Sequence, residues 1–124
     1  MEDQKFSIRS RANSFRYAGT GIRRFLRSEH NAWIHLAATI LVIVAGCILK
    51  ISLIEAAILA LAVGLVWVTE MLNTCLEKAM DMISRERHPN IGFIKDLAAG
   101  AVLVAAATAL VVGLFIFIPR LLHY

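Results

Sequence analysis

Residues 97–118 read LAAGAVLVAAATALVVGLFIFI, an uncharged run of 22 residues that is closed by Pro119. About twenty apolar residues suffice to cross the hydrocarbon core of a bilayer as an α-helix. The run therefore predicts a membrane-spanning helix. The composition agrees, because 59% of the 124 residues are hydrophobic and the mean hydropathy is +0.70, too apolar for a water-soluble domain of this size.

Two further apolar stretches precede this run. One covers residues 32–49, and the other begins near Leu53 and keeps a helical pattern to about residue 83. The segment SRERHPN at residues 84–90 carries charge and a proline, so it predicts a loop before the last span. The polar or small interruptions of the first stretch are His35, Thr39 and Gly46.

These patterns predict an all-α membrane protein built as one domain over residues 1–124. The second and third membrane helices are expected to extend into the cytoplasm. The predicted elements are a surface helix at about 10–30 and membrane helices at 32–50, 53–83 and 93–119.

Lysine and arginine are concentrated on one side of the predicted spans. Seven precede the first span, Lys50 alone lies between the first and second, and four lie between the second and third. Cytoplasmic loops are enriched in such residues, so the N-terminus and the second loop are expected in the cytoplasm and the C-terminus outside. The seven N-terminal ones are Lys5, Arg9, Arg11, Arg16, Arg23, Arg24 and Arg27.

The basic N-terminal arm favours a membrane surface as its partner. Over residues 14–28, arginines alternate with apolar side chains at helical spacing, the pattern of a helix that lies on a bilayer. Anionic lipid headgroups are thus expected to account for the net charge of +4. We expect no nucleic acid partner.

One face of the second span carries acidic and amide side chains. Counting about twenty residues inward from Leu53 puts the hydrocarbon boundary near Leu72 and Glu70 at the lipid interface. Crowded carboxylates are tolerable there when a divalent cation or a basic partner neutralises them, and magnesium binds one or two carboxylates together with substrate phosphates. The alternative is a solvated acidic face at a helix end. The polar residues within this arc are Glu70, Asn73, Thr74, Glu77 and Asp81.

Charged residues elsewhere are candidates for the same chemistry. Glu29, just before the first span, could supply a second carboxylate to the metal or could be an ordinary exposed charge. Lys95, beside Asp96, could hold phosphate oxygens or could be a positive-inside anchor. The sequence has no glycine-rich phosphate loop of the common nucleotide-binding frameworks.

The string EMLNTCLEKAMD at residues 70–81 closely resembles the ExxNTxxExxxD signature of the bacterial diacylglycerol kinase and undecaprenol kinase family. Three further pieces agree: SEHNAWIH at 28–35, His88 in the second loop, and KDLAAGAVL at 95–103. The agreement runs in order and with nearly gapless spacing over most of the chain, from about residue 17 to residue 119.

The resemblance implies a homotrimer of three-span protomers with a surface helix in the bacterial cytoplasmic membrane. ATP and Mg2+ would bind on the cytoplasmic side, and a lipid alcohol, undecaprenol or diacylglycerol, would enter from the bilayer. By position, Glu70 would be the catalytic base, Glu29 and Glu77 the metal ligands, and Asn73 a further polar contact in the active site. Nucleotide contacts would come from Tyr17, Glu86, His88, Lys95 and Asp96.

A second interpretation is a small proton- or cation-coupled transporter subunit, in which an intramembrane carboxylate carries the ion. That function predicts a carboxylate near the middle of the bilayer. The acidic residues gather instead at the inner boundary of the second span, which favours the kinase.

Overall fold

The computed structural model describes residues 7–123, and its regular structure over those residues is entirely helical. The elements in chain order are α1 (Ile8–Ser28), α2 (His30–Ile48), α3 (Leu53–Ile83) and α4 (Pro89–Leu122). Three of them, α2 to α4, are long and apolar enough to cross a membrane. The predicted all-α, three-span class is thereby confirmed, whereas the homotrimer and the surface position of α1 stay predictions. Lys5, in the basic arm, lies outside the described residues.

A tight turn joins α2 to α3. Lys50 adopts a left-handed backbone with φ 53°, and the Ile51 N–H donates to the Gly46 carbonyl at 3.2 Å. A Cβ at Gly46 would stand 3.1 Å from the Ile51 side chain, so a residue without one suits this close approach. Ser52 then caps α3 in a capping box with Glu55, whose backbone N–H donates to the serine hydroxyl at 3.1 Å.

The last helix begins at Pro89 and not at residue 93 as the sequence suggested. His88 is its N-cap, and its Nδ1 accepts a hydrogen bond from the Asn90 N–H at 3.2 Å. Proline fits the first helical position because its missing N–H would have no partner there. The connection between α3 and α4 is therefore shorter than the predicted loop.

Pro119 lies inside α4, which extends three residues beyond the predicted helix end at residue 119. The helix continues to Leu122 although proline removes one backbone hydrogen bond. The Arg120 guanidinium donates to the Lys50 carbonyl at 3.1 Å and to the Glu55 carboxylate, which ties the final turn to the start of α3.

The membrane helices bury small and branched residues between them and expose large apolar ones. On α4 the buried positions include Ala98 and Ala105, seven residues apart on one face. Leu61 and Phe115 are more than three-quarters exposed, which suits contact with lipid and not with water. The buried stripe of α3, at helical spacing, consists of Leu59, Ala62, Val66 and Glu70.

The chain divides into two compact units, the first ending at Ile34 and the second beginning at His35. In the first unit, α1 is capped by the Ser7 hydroxyl, which accepts a hydrogen bond from the Ser10 N–H. The second unit contains α3, α4 and the larger part of α2. Glu70 and the residues that contact it, described below, belong to this second unit.

Candidate active site

Glu70 is the buried carboxylate of α3. Its exposed fraction is 5%, and among the described polar and charged residues it alone is buried. It is the last member of a stripe that is otherwise apolar, so its charge needs a partner within the protein. The His35 side chain on α2 supplies one, with Nε2 3.3 Å from Glu70 Oε2.

The imidazole of His35 is held by its neighbours on both helices. Its ring meets the Trp67 ring edge-on, with centroids 6.2 Å apart and planes at 60°. Trp67 Nε1 donates to Thr39 Oγ1 at 2.9 Å, and that hydroxyl donates to the His35 carbonyl at 2.7 Å. On α2, His35 and Thr39 are one turn apart. They face Trp67 and Glu70, which are one turn apart on α3. These contacts set the depth of His35 relative to Glu70.

Asn73 and Glu77 form the next pair along α3. The Asn73 amide Nδ2 donates to Glu77 Oε1 at 3.4 Å across one helical turn. Asn73 Oδ1 is buried, and within residues 7–123 it has no hydrogen-bond partner. Glu77 is exposed. An unpaired amide oxygen beside a carboxylate places two oxygen donors of the kind that a hard cation prefers on one face of the helix.

Asp81 pairs with Lys95 across α3 and α4. Lys95 Nζ donates to Asp81 Oδ1 at 2.6 Å. Asp81 lies nine residues beyond Leu72, where the hydrocarbon is expected to end, and so outside the membrane-spanning part of α3. The hydrogen bond from Lys95, assisted by the positive charge of that residue, lowers the pKa of the Asp81 carboxyl below its ordinary value. Lys95 is consequently held on the side of α4 that faces the polar part of α3.

The remaining predicted nucleotide contacts of the second unit lie at the start of α4 and just before it. Glu86 and His88 are exposed in the short connection between the helices, and Asp96 is exposed beside Lys95. The Glu86 N–H donates to the Ser84 hydroxyl at 3.1 Å, and the His88 side chain caps α4. Local hydrogen bonds therefore fix the backbone of this connection, and its side chains face outward.

Tyr17 and Glu29 belong to the first unit. Tyr17 lies in the middle of α1 and is 69% exposed. Glu29 is the C-cap of α1, where its backbone N–H donates to the Phe25 carbonyl at 3.1 Å. Their assignment to nucleotide and metal stays a prediction.

Comparison with known proteins assigns the chain to a family. The sequence model described as prokaryotic diacylglycerol kinase matches residues 16–117, most of the chain. The chain belongs to the prokaryotic diacylglycerol kinase family. The resemblance carried by residues 70–81 is thus confirmed, and the chain is an enzyme, a lipid phosphotransferase. Membership favours this activity over the transporter interpretation.

Three relatives show how far the similarity extends. An undecaprenol kinase of Bacillus subtilis is 38% identical over 120 residues, which covers 97% of this chain and 98% of the relative. A diacylglycerol kinase of Synechocystis sp. is 40% identical over 110 residues, covering 88% of this chain and 63% of the relative. A diacylglycerol kinase of Escherichia coli K12 is 34% identical over 87 residues, covering 64% of this chain and 71% of the relative.

Membership of this kinase family implies a nucleotide phosphoryl donor. The side chains at the inner end of α3 suit magnesium as the counter-ion of that nucleotide. No group of three or more His, Cys, Asp or Glu side chains in residues 7–123 is placed to hold a metal. Magnesium does not require such a group, since it usually keeps several waters and binds one or two carboxylates plus substrate phosphates. The exposed carboxylate of Glu77, next to the unpaired Asn73 Oδ1, fits that coordination.

Two contacts of the candidate site were missed by sequence reasoning. In the sequence, His35 stands out only as an interruption of an apolar stretch, and Asp81 belongs to the acidic face without a visible partner. A signal for His35 was present, because an ionisable residue within a membrane span usually faces the protein interior and has a polar partner. The partner itself could not be named, since it depends on the register between α2 and α3.

Proposed function

We propose that this protein is an ATP- and Mg2+-dependent lipid kinase of the bacterial cytoplasmic membrane. It transfers the γ-phosphoryl group to the hydroxyl of undecaprenol or diacylglycerol, which gives undecaprenyl phosphate or phosphatidic acid. The observation that carries the proposal is the buried carboxylate of Glu70, 5% exposed, within the apolar stripe of a helix long enough to span a membrane. A base in that position serves an acceptor that is itself dissolved in the bilayer.

Glu70 acts as the general base. As the lipid oxygen forms its bond to the γ-phosphorus, the hydroxyl proton passes to the Glu70 carboxylate, and the bond between that phosphorus and the β,γ-bridging oxygen breaks. The electron pair of the broken bond stays on the departing ADP. Phosphoryl transfer asks little else of a protein than positioning of the hydroxyl and neutralisation of the triphosphate charge.

Lys95 and Glu77 serve the triphosphate. An ammonium has three N–H donors, so the single bond from Lys95 to Asp81 leaves donors that can reach phosphate oxygens. Glu77 is proposed to hold magnesium, with Glu29 as the second ligand that the family resemblance implies. Bound magnesium supplies positive charge that offsets the charge of the β- and γ-phosphates. Asn73 orients the Glu77 carboxylate through its amide N–H.

The other nucleotide contacts are proposed from the family resemblance. Glu86, His88 and Asp96 are exposed near the start of α4, on the same helix or connection as Lys95. Tyr17 on α1 is likewise exposed. We place this surface and the N-terminus in the cytoplasm and the C-terminus outside, which the distribution of lysine and arginine supports. The functional assembly is proposed to be a homotrimer.

The acceptor is a lipid alcohol of the membrane. A cavity of about 370 Å³, lined mainly by apolar side chains of α2, α3 and α4, has His35 and Trp67 in its wall. His35 contacts Glu70, so apolar surroundings extend to the proposed base. The relative named undecaprenol kinase and the relative named diacylglycerol kinase have nearly the same sequence identity to this chain, 38% and 40%. Both lipids are therefore proposed as acceptors and should be tested side by side.

The decisive experiment is transfer of label from [γ-32P]ATP to lipid by purified protein in mixed micelles. Undecaprenol and diacylglycerol are supplied in parallel reactions, and Glu70→Gln provides the blank. Glu55→Gln is the matched control, because it makes the same change in the same helix at the end far from Glu70. We expect one or both lipids to be labelled by the wild type and by Glu55→Gln, and neither by Glu70→Gln. No labelling of either lipid by the wild type would overturn the proposed function.

A further inference from the structure

A carboxylate as buried as Glu70 requires compensation. Its side chain is 6% exposed, and the His35 imidazole, with its own side chain 23% exposed, approaches Oε2 to 3.3 Å. Hydrogen bonding to the ionised form offsets part of the desolvation of a buried charge. Within the part of the chain that the structure describes, His35 is the partner recorded for this carboxylate. The pair joins α2 to α3 at the inner end of the buried stripe.

The position of the imidazole is set independently of Glu70. The Trp67 ring packs against it edge-on, and Trp67 is itself fixed by its hydrogen bond to Thr39. Since Thr39 is one turn after His35 on α2, and Trp67 one turn before Glu70 on α3, the two helices cannot slide past each other without breaking these contacts. The Nε2 atom therefore reaches the carboxylate from a restrained ring.

We propose that His35 is a positioning residue for Glu70: its Nε2–H donates to Oε2 and thereby leaves Oε1 as the oxygen that takes the proton of the lipid hydroxyl. This inference rests on the proposed function, in which Glu70 is the base. The donor role requires a proton on Nε2. Because His35 touches neither ATP nor the reacting hydroxyl in this scheme, it governs the rate of the transfer step and not the affinity for ATP.

Two substitutions at position 35 separate a donor role from a packing role. His35→Leu keeps an apolar side chain of comparable bulk but removes the donor. His35→Gln keeps an N–H at about the reach of Nε2. Loss of a hydrogen bond to a charged group should lower kcat of His35→Leu about 10- to 100-fold, with KM for ATP within about twofold of the wild type. His35→Gln should recover kcat to within about fivefold of the wild type.

Thr39→Val tests the restraint on the His35 ring. It removes the hydroxyl that bonds Trp67 and the His35 carbonyl, in the same cluster, without touching Glu70. We expect its melting temperature in detergent to fall and its kcat to fall by less than that of His35→Leu, because the donor remains while the restraint on its ring is weakened. All variants are compared in the same micelles after gel filtration, so that only folded protein is assayed.

The outcomes separate this inference from the proposed function. Wild-type kcat in His35→Leu, or equal losses in folded His35→Leu and His35→Gln, would each overturn the role of His35. If, in addition, Glu70→Gln is inactive, Glu70 keeps its role as the base and only the positioning by His35 is lost. If Glu70→Gln labels lipid as fast as the wild type, the proposed base fails and the inference fails with it.

Discussion

Lys95 Nζ lies 2.6 Å from Asp81 Oδ1, so an ion pair joins the beginning of α4 to the end of α3. The cation that we expect to hold phosphate oxygens is therefore oriented before any nucleotide binds. Both side chains are more than one-third exposed, at 36% and 46%, which limits what the pair contributes to stability. Its importance is expected in nucleotide binding.

Asp81→Asn should weaken the orientation of Lys95 without removing its charge. We expect KM for ATP to rise about three- to fivefold, the range of an exposed ion pair, with kcat within about twofold. Lys95→Met, which removes the charge as well, should lower kcat and raise KM together. Steady-state kinetics at saturating lipid measure both effects. An unchanged KM in Asp81→Asn would show that the pair does not prepare the nucleotide site.

The same pair predicts a pH dependence. Asp81 has a lowered pKa in the folded protein. Its ionised form therefore orients Lys95 fully above the ordinary aspartate pKa of about 3.9, and this effect is lost only as the pH falls through the lower pKa of the folded state. The ratio of KM for ATP between Asp81→Asn and the wild type should therefore stay constant from about pH 8 to about pH 5. A ratio that approaches one near pH 5 would contradict this assignment.

Magnesium dependence tests Glu77. Removal of divalent cations with EDTA should abolish labelling of lipid, and added Mg2+ should restore it. Glu77→Gln should raise the Mg2+ concentration for half-maximal activity at least about tenfold, because a carboxylate ligand binds magnesium more strongly than an amide does. Glu55→Gln should follow the wild-type titration curve. Superimposable curves for Glu77→Gln and the wild type would remove Glu77 from the metal site.

Arg120 is expected to stabilise the end of the bundle far from Glu70. Arg120→Leu breaks the bonds to the Glu55 carboxylate and the Lys50 carbonyl, so the melting temperature in detergent should fall by about 2–5 °C. At temperatures well below the melting point, kcat should not change. Because Arg120 and Glu55 share one contact, the double variant with Glu55→Leu should lose less than the sum of the single losses. Additive losses would show that the two side chains act separately.

The sequence predicted the spans well because their signal is local. An uncharged run such as residues 97–118 has few alternatives to a membrane helix. The ends of the helices were predicted less accurately: α4 begins at Pro89 because His88 caps it, and its last turn, beyond Pro119, is tied by Arg120 to the start of α3. The second effect depends on residues distant in sequence, which a local pattern does not contain.

The acidic face of α3 was also visible in the sequence, since helical spacing alone brings Glu70, Asn73 and Glu77 together. The partners of that face were not. The contact between His35 and Glu70 depends on the tight turn at Lys50, whose φ of 53° sets the register of α2 against α3. Helical periodicity describes one helix at a time, so it cannot predict which residues of two helices meet.

Glu70 belongs to a buried stripe on α3 whose other members are a leucine, an alanine and a valine. A carbon side chain there would pack without a charge to neutralise, so Glu70→Leu should raise the melting temperature while it abolishes turnover. The enzyme would thus be sturdier without the group that makes it useful. Selection for stability alone would replace this carboxylate, so its presence indicates that activity is favoured over stability at this position.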